Sequence, residues 1–106
     1  MKVKVCDFSK TPNARYRDDG DYSGEEFYEI FLKNGFQQSV KNNEKLIVDL
    51  DGTEGYATSF LDEAFGRLAE EFGPLYVLDN LQIISNEEPD WLDEITTYIL
   101  ERNEIK

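Results

Sequence analysis

The stretch LIVDLDGTEGYATSFLDEAFGRLAEEFG, residues 46–73, reads as a buried strand, a Gly-rich turn and an amphipathic helix, in that order. Leu46 to Leu50 is an apolar run broken only by Asp49, the pattern of a central strand covered on both faces. Asp51-Gly52 and Gly55 mark the turn behind it. From Ser59 onward, Phe60, Leu61, Ala64, Phe65, Leu68, Ala69 and Phe72 fall at helical spacing and build one wide apolar stripe, which Gly73-Pro74 closes. A strand running into a helix N-terminus is where α/β proteins hold phosphates, because unpaired backbone N–H groups and the helix dipole converge there. Thr58 and Ser59 stand at that junction. Either is suited to cap the helix, Ser59 having capping-box spacing to Asp62, and either is suited to carry a phosphate; the two roles are compatible.

Outward from this stretch the pattern repeats. Lys2 to Phe8 alternates as a short first strand. Residues 9–24 are rich in turn formers and make a long loop, a place where function often sits. Ser23 and Glu26 have capping-box spacing, Phe27, Ile30 and Phe31 give the next helix its apolar stripe, and Asn34-Gly35 reads as its stop. Residues 36–45 then form a polar connector. Leu75 to Leu78 is ambiguous, whereas Leu81 to Ile84 reads as a third strand. Pro89 opens a last helix, with Asp90, Asp93 and Glu94 near its positive end and Trp91, Leu92, Ile95, Tyr98 and Ile99 on its buried side. The order β-α-β-α-β-α predicts an α/β fold, a small and mostly parallel sheet with right-handed crossovers, in a single domain over residues 1–106.

Composition narrows the function. The chain has 106 residues, one Cys, no His and a net charge of −12. A lone Cys6 makes no intrachain disulfide, and without His a zinc site or a His-based catalytic pair is not expected. Cys6 itself is expected as a small buried residue. No apolar run approaches the roughly 18 residues of a membrane span, and residues 1–8 are unlike a signal peptide, so the expected location is a reducing cytoplasm. Residues 1–45 hold eight basic and eight acidic side chains; residues 46–106 hold three basic and fifteen acidic, so the whole excess lies in the second part. That balance argues against nucleic acid or an anionic membrane as a direct partner and permits a basic protein. Asp62 and Glu63 either complement the dipole of the helix they begin or form a contact surface. Arg15 and Arg17, on either side of Tyr16, either grip an anion or acidic partner, or pair with nearby Asp18, Asp19 and Asp21. Gly66, in mid-helix, points to close helix–sheet packing. Trp91 is expected as an anchor of the last helix.

The run LIVDLDGT resembles the first motif of haloacid dehalogenase-like phosphatases. That resemblance implies Asp49 as nucleophile and Asp51 as general acid at a magnesium site, Thr53 closing the motif and Ser85 as a second motif. The chain carries no Lys between Lys45 and Lys106 to match that family's later lysine, and too little sequence follows Ser85 for its acidic pair. Asp-Gly after a strand is also an ordinary turn signal.

A second resemblance covers nearly the whole chain. RYRDDGDYSGEEF and LIVDLDGTEGYATSFLDEAFG, with the α-β-α that follows, are similar to the STAS-like family of prokaryotic proteins, named for its likeness to anti-sigma factor antagonists and sulphate-transporter domains. Arg15, Arg17, Ser23 to Glu25 and Ser59 to Gly66 carry it. The resemblance implies a non-enzymatic regulatory module without a cofactor or metal, docking onto a protein partner through Gly55, Tyr56, Thr58, Ser59, Asp62 and Glu63. It further implies phosphorylation of the helix N-terminus at Thr58 or Ser59 by a kinase of the ATPase fold. The antagonists' Asp-Ser-Ser-Gly stands here as Ala57-Thr58-Ser59-Phe60.

Overall fold

Three strands, β1 (Lys2–Lys4), β2 (Leu46–Asp49) and β3 (Leu81–Ile84), form one parallel sheet in the order β1-β2-β3, in a computed structural model that describes residues 1–102. Lys106, counted in the charge above, lies outside the described residues. The architecture is the small parallel α/β fold the element order predicts. Register places Val3, Val48 and Ile83 on one face, and Lys4, Asp49 and Ile84 on the other. Leu46 and Val48 are fully buried while Ile47 and Asp49 are half-buried, so β2 is closed off on one face and not on both.

The first strand is shorter than its alternation suggests. β1 ends at Lys4, opposite Asp49, where β2 also ends and no partner strand continues. The chain then coils into a short helical turn, α1 (Val5–Phe8), which buries Val5 and leaves Cys6 half-buried.

The second helical region corrects the sequence reading most. α2 (Gly24–Phe27), a π turn (Tyr28–Leu32) and α3 (Lys33–Lys41) continue one another, with helical dihedrals at each junction. A π turn adds a residue to the helical repeat and so rotates the face that follows it. Phe27, Tyr28, Leu32 and Phe36 go inside, whereas Ile30 and Phe31 stay 47% and 40% exposed. Gly35 is not a stop. A Cβ there would lie 3.2 Å from Leu46 Cδ1, so glycine allows the helix to approach β2. The expected connector is helical as far as Lys41, and the helix closes at Asn43, which takes the left-handed φ of 58°.

The remaining helices are α4 (Thr58–Phe72), α5 (Pro74–Asp79) and α6 (Asp90–Leu100). α5 settles the ambiguous Leu75–Leu78 as helix, with Pro74 at its start. α4 packs against α2, the π turn, α5 and α6, and its apolar stripe meets Phe27, Leu32, Val48, Ile95 and Ile99 in one core. The strands' C-terminal ends, the loops after β2 and β3 and the start of α4 therefore open at the same end of the molecule.

Candidate functional site

At that end the loops following β2 and β3 flank a half-open cavity of about 200 Å³, lined by Leu50, Asp51, Thr53, Glu54, Gly55, Tyr56, Ser85, Glu87, Glu88 and Trp91. Crevices at the carboxyl ends of parallel strands are the usual ligand sites of α/β folds. The two loops hold each other reciprocally: Gly52 N donates to Glu87 Oε1 at 2.6 Å, and Glu87 N donates to Asp51 Oδ1 at 3.0 Å. Ser85 Oγ donates to the Glu88 carbonyl at 2.6 Å, and Tyr56 Oη to the Leu50 carbonyl at 2.7 Å. The Tyr56 and Trp91 rings stand nearly perpendicular, 76° apart with centroids at 6.1 Å. Trp91 Nε1 is enclosed and has no acceptor among the described residues. Burial first, and then the neighbouring acidic groups, push the Tyr56 phenol upward, so it stays a neutral donor.

Four carboxylates line this cavity, from Asp51, Glu54, Glu87 and Glu88, and no basic residue does. Among the described residues none of the four has a cation within 4.0 Å. Of the lining residues, Asp51, Thr53, Gly55, Tyr56, Ser85 and Trp91 are singled out by the sequence, whereas Glu54, Glu87 and Glu88 are not. The signal that could have found the others is the acid excess of residues 46–106 read together with the position just beyond two parallel strands.

Beside the cavity, α4 begins differently from expectation. Its N-cap is Ala57, without a side-chain cap, so neither Thr58 nor Ser59 is the capping residue, and the Ser59–Asp62 box is not formed. The reason is tertiary. Glu54 N donates to the Lys10 carbonyl at 2.7 Å and Ala57 N to the Pro12 carbonyl at 3.1 Å, so the long loop ties down both ends of residues 54–57 and Ala57 stays extended. Thr58 is exposed and Ser59 half-buried, and Thr58 borders a shallow hollow with Glu88, Asp90, Trp91 and Glu94.

Of the remaining predicted residues, Arg15, Asp62 and Glu63 meet along α4, whereas Tyr16 and Arg17 stay in the loop before α2. Arg15 Nη1 meets Asp62 Oδ2 at 3.0 Å, and Arg102 Nη2 meets Asp62 Oδ1 at 3.0 Å. Arg102 also pairs with Glu70, and Arg67 pairs with Glu63 at 2.9 Å. Gly66 is the reason this ladder closes. A Cβ there would lie 2.5 Å from Arg102 Cζ, so the glycine makes room for a guanidinium rather than for the sheet. Glu63 is 3% exposed, a buried ion-pair partner and not part of the outer surface. Burial raises its pKa, with Arg67, Arg102 and Arg15 opposing. Arg17 pairs with Glu29 at 3.4 Å and Glu26 at 3.9 Å, so neither arginine takes Asp18, Asp19 or Asp21. Tyr16 is 43% exposed.

A family model described as "STAS-like domain of unknown function (DUF4325)" matches residues 23–91. The chain belongs to that family. The STAS-like span runs from the Ser23 cap to Trp91 and contains every residue lining the cavity, together with Thr58 and Ser59. Arg15 and Arg102 of the α4 ladder fall outside it. No curated protein and no solved structure matches the chain.

Within the STAS-like chain the Asp-x-Asp-Gly-Thr run works as a turn. Asp49 Oδ1 accepts from Asp51 N at 2.9 Å, Asp49 Oδ2 lies 3.7 Å from Lys2 Nζ, and Thr53 Oγ1 accepts from Gly55 N at 3.3 Å. Among the described residues no three His, Cys, Asp or Glu side chains are placed to share a metal ion. No helix of the described residues is long and apolar enough to cross a membrane.

Proposed function

We propose that this STAS-like chain is a non-enzymatic regulatory module that docks onto a partner protein through Gly55, Tyr56 and the first turn of α4, and that phosphorylation of Thr58 or Ser59 switches the contact. The observation that carries this reading is the uncapped start of α4: both hydroxyls stand at a helix N-terminus whose geometry does not use them as caps. Asp62 extends the docking surface as half-exposed charge; Glu63, being buried, supports it from behind.

The switch follows from charge. A phosphate brings about −1.5 to −2 charges at pH 7. On Thr58 it enters the hollow formed with Glu88, Asp90 and Glu94. The helix dipole favours an anion at this position by up to about 1 kcal/mol, but three carboxylates oppose it, and repulsion pushes the start of α6 and its Trp91 outward. Docking is thereby disrupted from within the module. A basic partner and an ATPase-fold kinase are the two protein classes that this mechanism calls for. The acidic rim makes docking sensitive to salt.

The test is affinity capture from the native host with wild-type, Thr58→Asp and Ser59→Asp proteins, joined to phosphosite mapping of the endogenous chain. Loss of a stoichiometric partner in one Asp variant, with phosphate at the same residue, is the expected result. Identical partners in all three samples reject the switch.

A further inference from the structure

We infer that the outer edge of β1 is a docking site for an extended segment of a partner protein, with acidic, apolar and acidic residues in succession, which adds a fourth strand to the sheet. This surface shares no residue with the one proposed above. β1 stands at the end of the sheet order, so only β2 pairs with it. Ile47 N donates to the Met1 carbonyl. Along a parallel ladder that bond turns the backbone groups of Met1 and Val3 towards β2, and those of Lys2 and Lys4 outward. Lys4 is also the N-cap of α1, where its carbonyl accepts the first helical bond. The N–H and carbonyl of Lys2 and the N–H of Lys4 are left by the sheet for a further strand. A hollow of about 160 Å³ lies beside them, lined by Lys2, Val3, Lys4, Asp7, Phe8 and Phe31. Successive strand residues point to opposite faces, so a hollow that all three residues of β1 reach runs along the edge.

Apolar surface is held open here by unusual backbone. The π turn, a rare element frequent at functional sites, leaves Ile30 and Phe31 exposed. Tyr22 takes a left-handed φ of 59°, uncommon for an aromatic residue, and its exposed ring meets Phe8 edge-on at 5.4 Å. Phe8 meets Phe31 in the same way at 5.6 Å.

Charge names the occupant. Lys2 and Lys4 are exposed on the face of the sheet that Asp49 shares. Lys2 lies 3.7 Å from Asp49, and Lys4 has no carboxylate within 4.0 Å among the described residues. A strand laid along β1 sets one residue beside each lysine and turns the residue between them to the Val3 side, where Phe8 packs. Carboxylates suit the two outer positions and an aliphatic side chain the middle one. The pattern reads alike in both directions, so it serves parallel and antiparallel addition. Asp7, beyond the end of β1, opposes a further acid there. The acid excess of the chain lies in residues 46–106, whereas this surface is built from residues 1–45, whose charges balance. A second copy fits poorly, because two antiparallel β1 edges centred on Val3 set Lys2 of one against Lys4 of the other.

The experiment titrates the intact, isotope-labelled protein with three blocked peptides, Thr-Glu-Val-Glu-Thr, Thr-Lys-Val-Lys-Thr and Thr-Glu-Ser-Glu-Thr, at about 0.15 M salt, which screens the distant acids. NMR reads the binding and the hydrogen exchange of single amides. The Glu-Val-Glu peptide is expected to give saturable shifts along β1. At about ten times its Kd the Lys4 amide exchanges about tenfold more slowly, since only free protein leaves it open. The Val3 amide, already turned to β2, changes little. The Lys-Val-Lys and Glu-Ser-Glu peptides bind about tenfold more weakly, having lost two exposed ion pairs or the apolar contact. Lys4→Glu weakens the Glu-Val-Glu peptide several-fold, strengthens the Lys-Val-Lys peptide and leaves the circular dichroism unchanged. Equal binding of the two charged peptides, unchanged exchange at Lys4 in the bound state, or no binding of any peptide overturns strand addition. So does a peptide-free dimer that protects Lys4, since the edge then belongs to a second copy.

Discussion

Two acidic sets, one on α4 and one on the loops after β2 and β3, carry similar side chains to opposite effect. On the flank facing α2 and the chain's end, Asp62, Glu63 and Glu70 are laced to Arg15, Arg67 and Arg102. At the cavity, an equally acidic set meets aromatic rings and backbone donors but no cation among the described residues. A paired carboxylate already has its counterion, whereas an unpaired one keeps its charge exposed to its neighbours. The difference separates carboxylates that tie elements of this STAS-like domain together from carboxylates that meet no cation among the described residues.

The comparison breaks most sharply at Gly24, where the paired flank meets its neighbour. A Cβ at this position would press on the Phe60 carbonyl oxygen and lie 3.2 Å from Glu63 Cβ. Gly24→Ala is expected to destabilise the protein by about 3 kcal/mol, since backbone is what must move; urea unfolding measures it, and a change under 1 kcal/mol would show that α2 and α4 are not in such close contact.

A second break uses the buried charge on that flank. Glu63 has its pKa raised by burial, so the folded state holds its proton more tightly than the unfolded one. Its contribution is greatest below the unfolded value and declines as pH climbs through the raised folded value. Glu63→Gln removes that decline. The variant should therefore gain on wild type as pH rises from below 4.5 towards neutrality, followed by unfolding at a series of pH values. A constant difference across the series would contradict burial of the charged form.

Sharper still is the contrast between two helix starts. Ser23 is fully buried and its Oγ accepts from Glu26 N at 3.1 Å, whereas α4 begins at Ala57 without a side-chain cap. Ser23→Ala is expected to cost about 1 kcal/mol, and Thr58→Ala or Ser59→Ala only a few tenths. Comparable losses at all three positions would restore a capping role to Thr58 and Ser59. The smallest effect belongs to the cavity: Glu88→Gln should leave stability within about 0.5 kcal/mol or raise it slightly, because no cation is lost and repulsion is relieved. A clear drop in melting temperature would reveal a counterion there.

Much of the fold is legible in the chain as written. Short apolar runs at residues 46–50 and 81–84, each broken by a single polar residue (Asp49, Gln82), mark β2 and β3, and the 3.6-residue stripe from Phe60 to Phe72 marks α4, since both patterns depend on neighbours a few positions apart. The Ser23 cap is equally local. Tertiary structure decides where local rules tie or fail. Asn34-Gly35 has the form of a stop, yet Gly35 is helical because Leu46 requires a close approach there. The π turn that rotates Ile30 and Phe31 outward has no periodic signature of its own. Thr58 and Ser59 look like caps until residues 10–12 hold the chain extended as far as Ala57. Gly66 looks like sheet packing until Arg102 arrives from 36 positions away. Which acids are paired is decided in the same way. The sequence by itself determined β2, β3, α4, α6 and the excess of negative charge, all set by composition and short-range spacing. Only the tertiary structure decided which carboxylates meet an arginine and which remain around an open cavity, because ion pairing depends on distances between residues far apart in the chain.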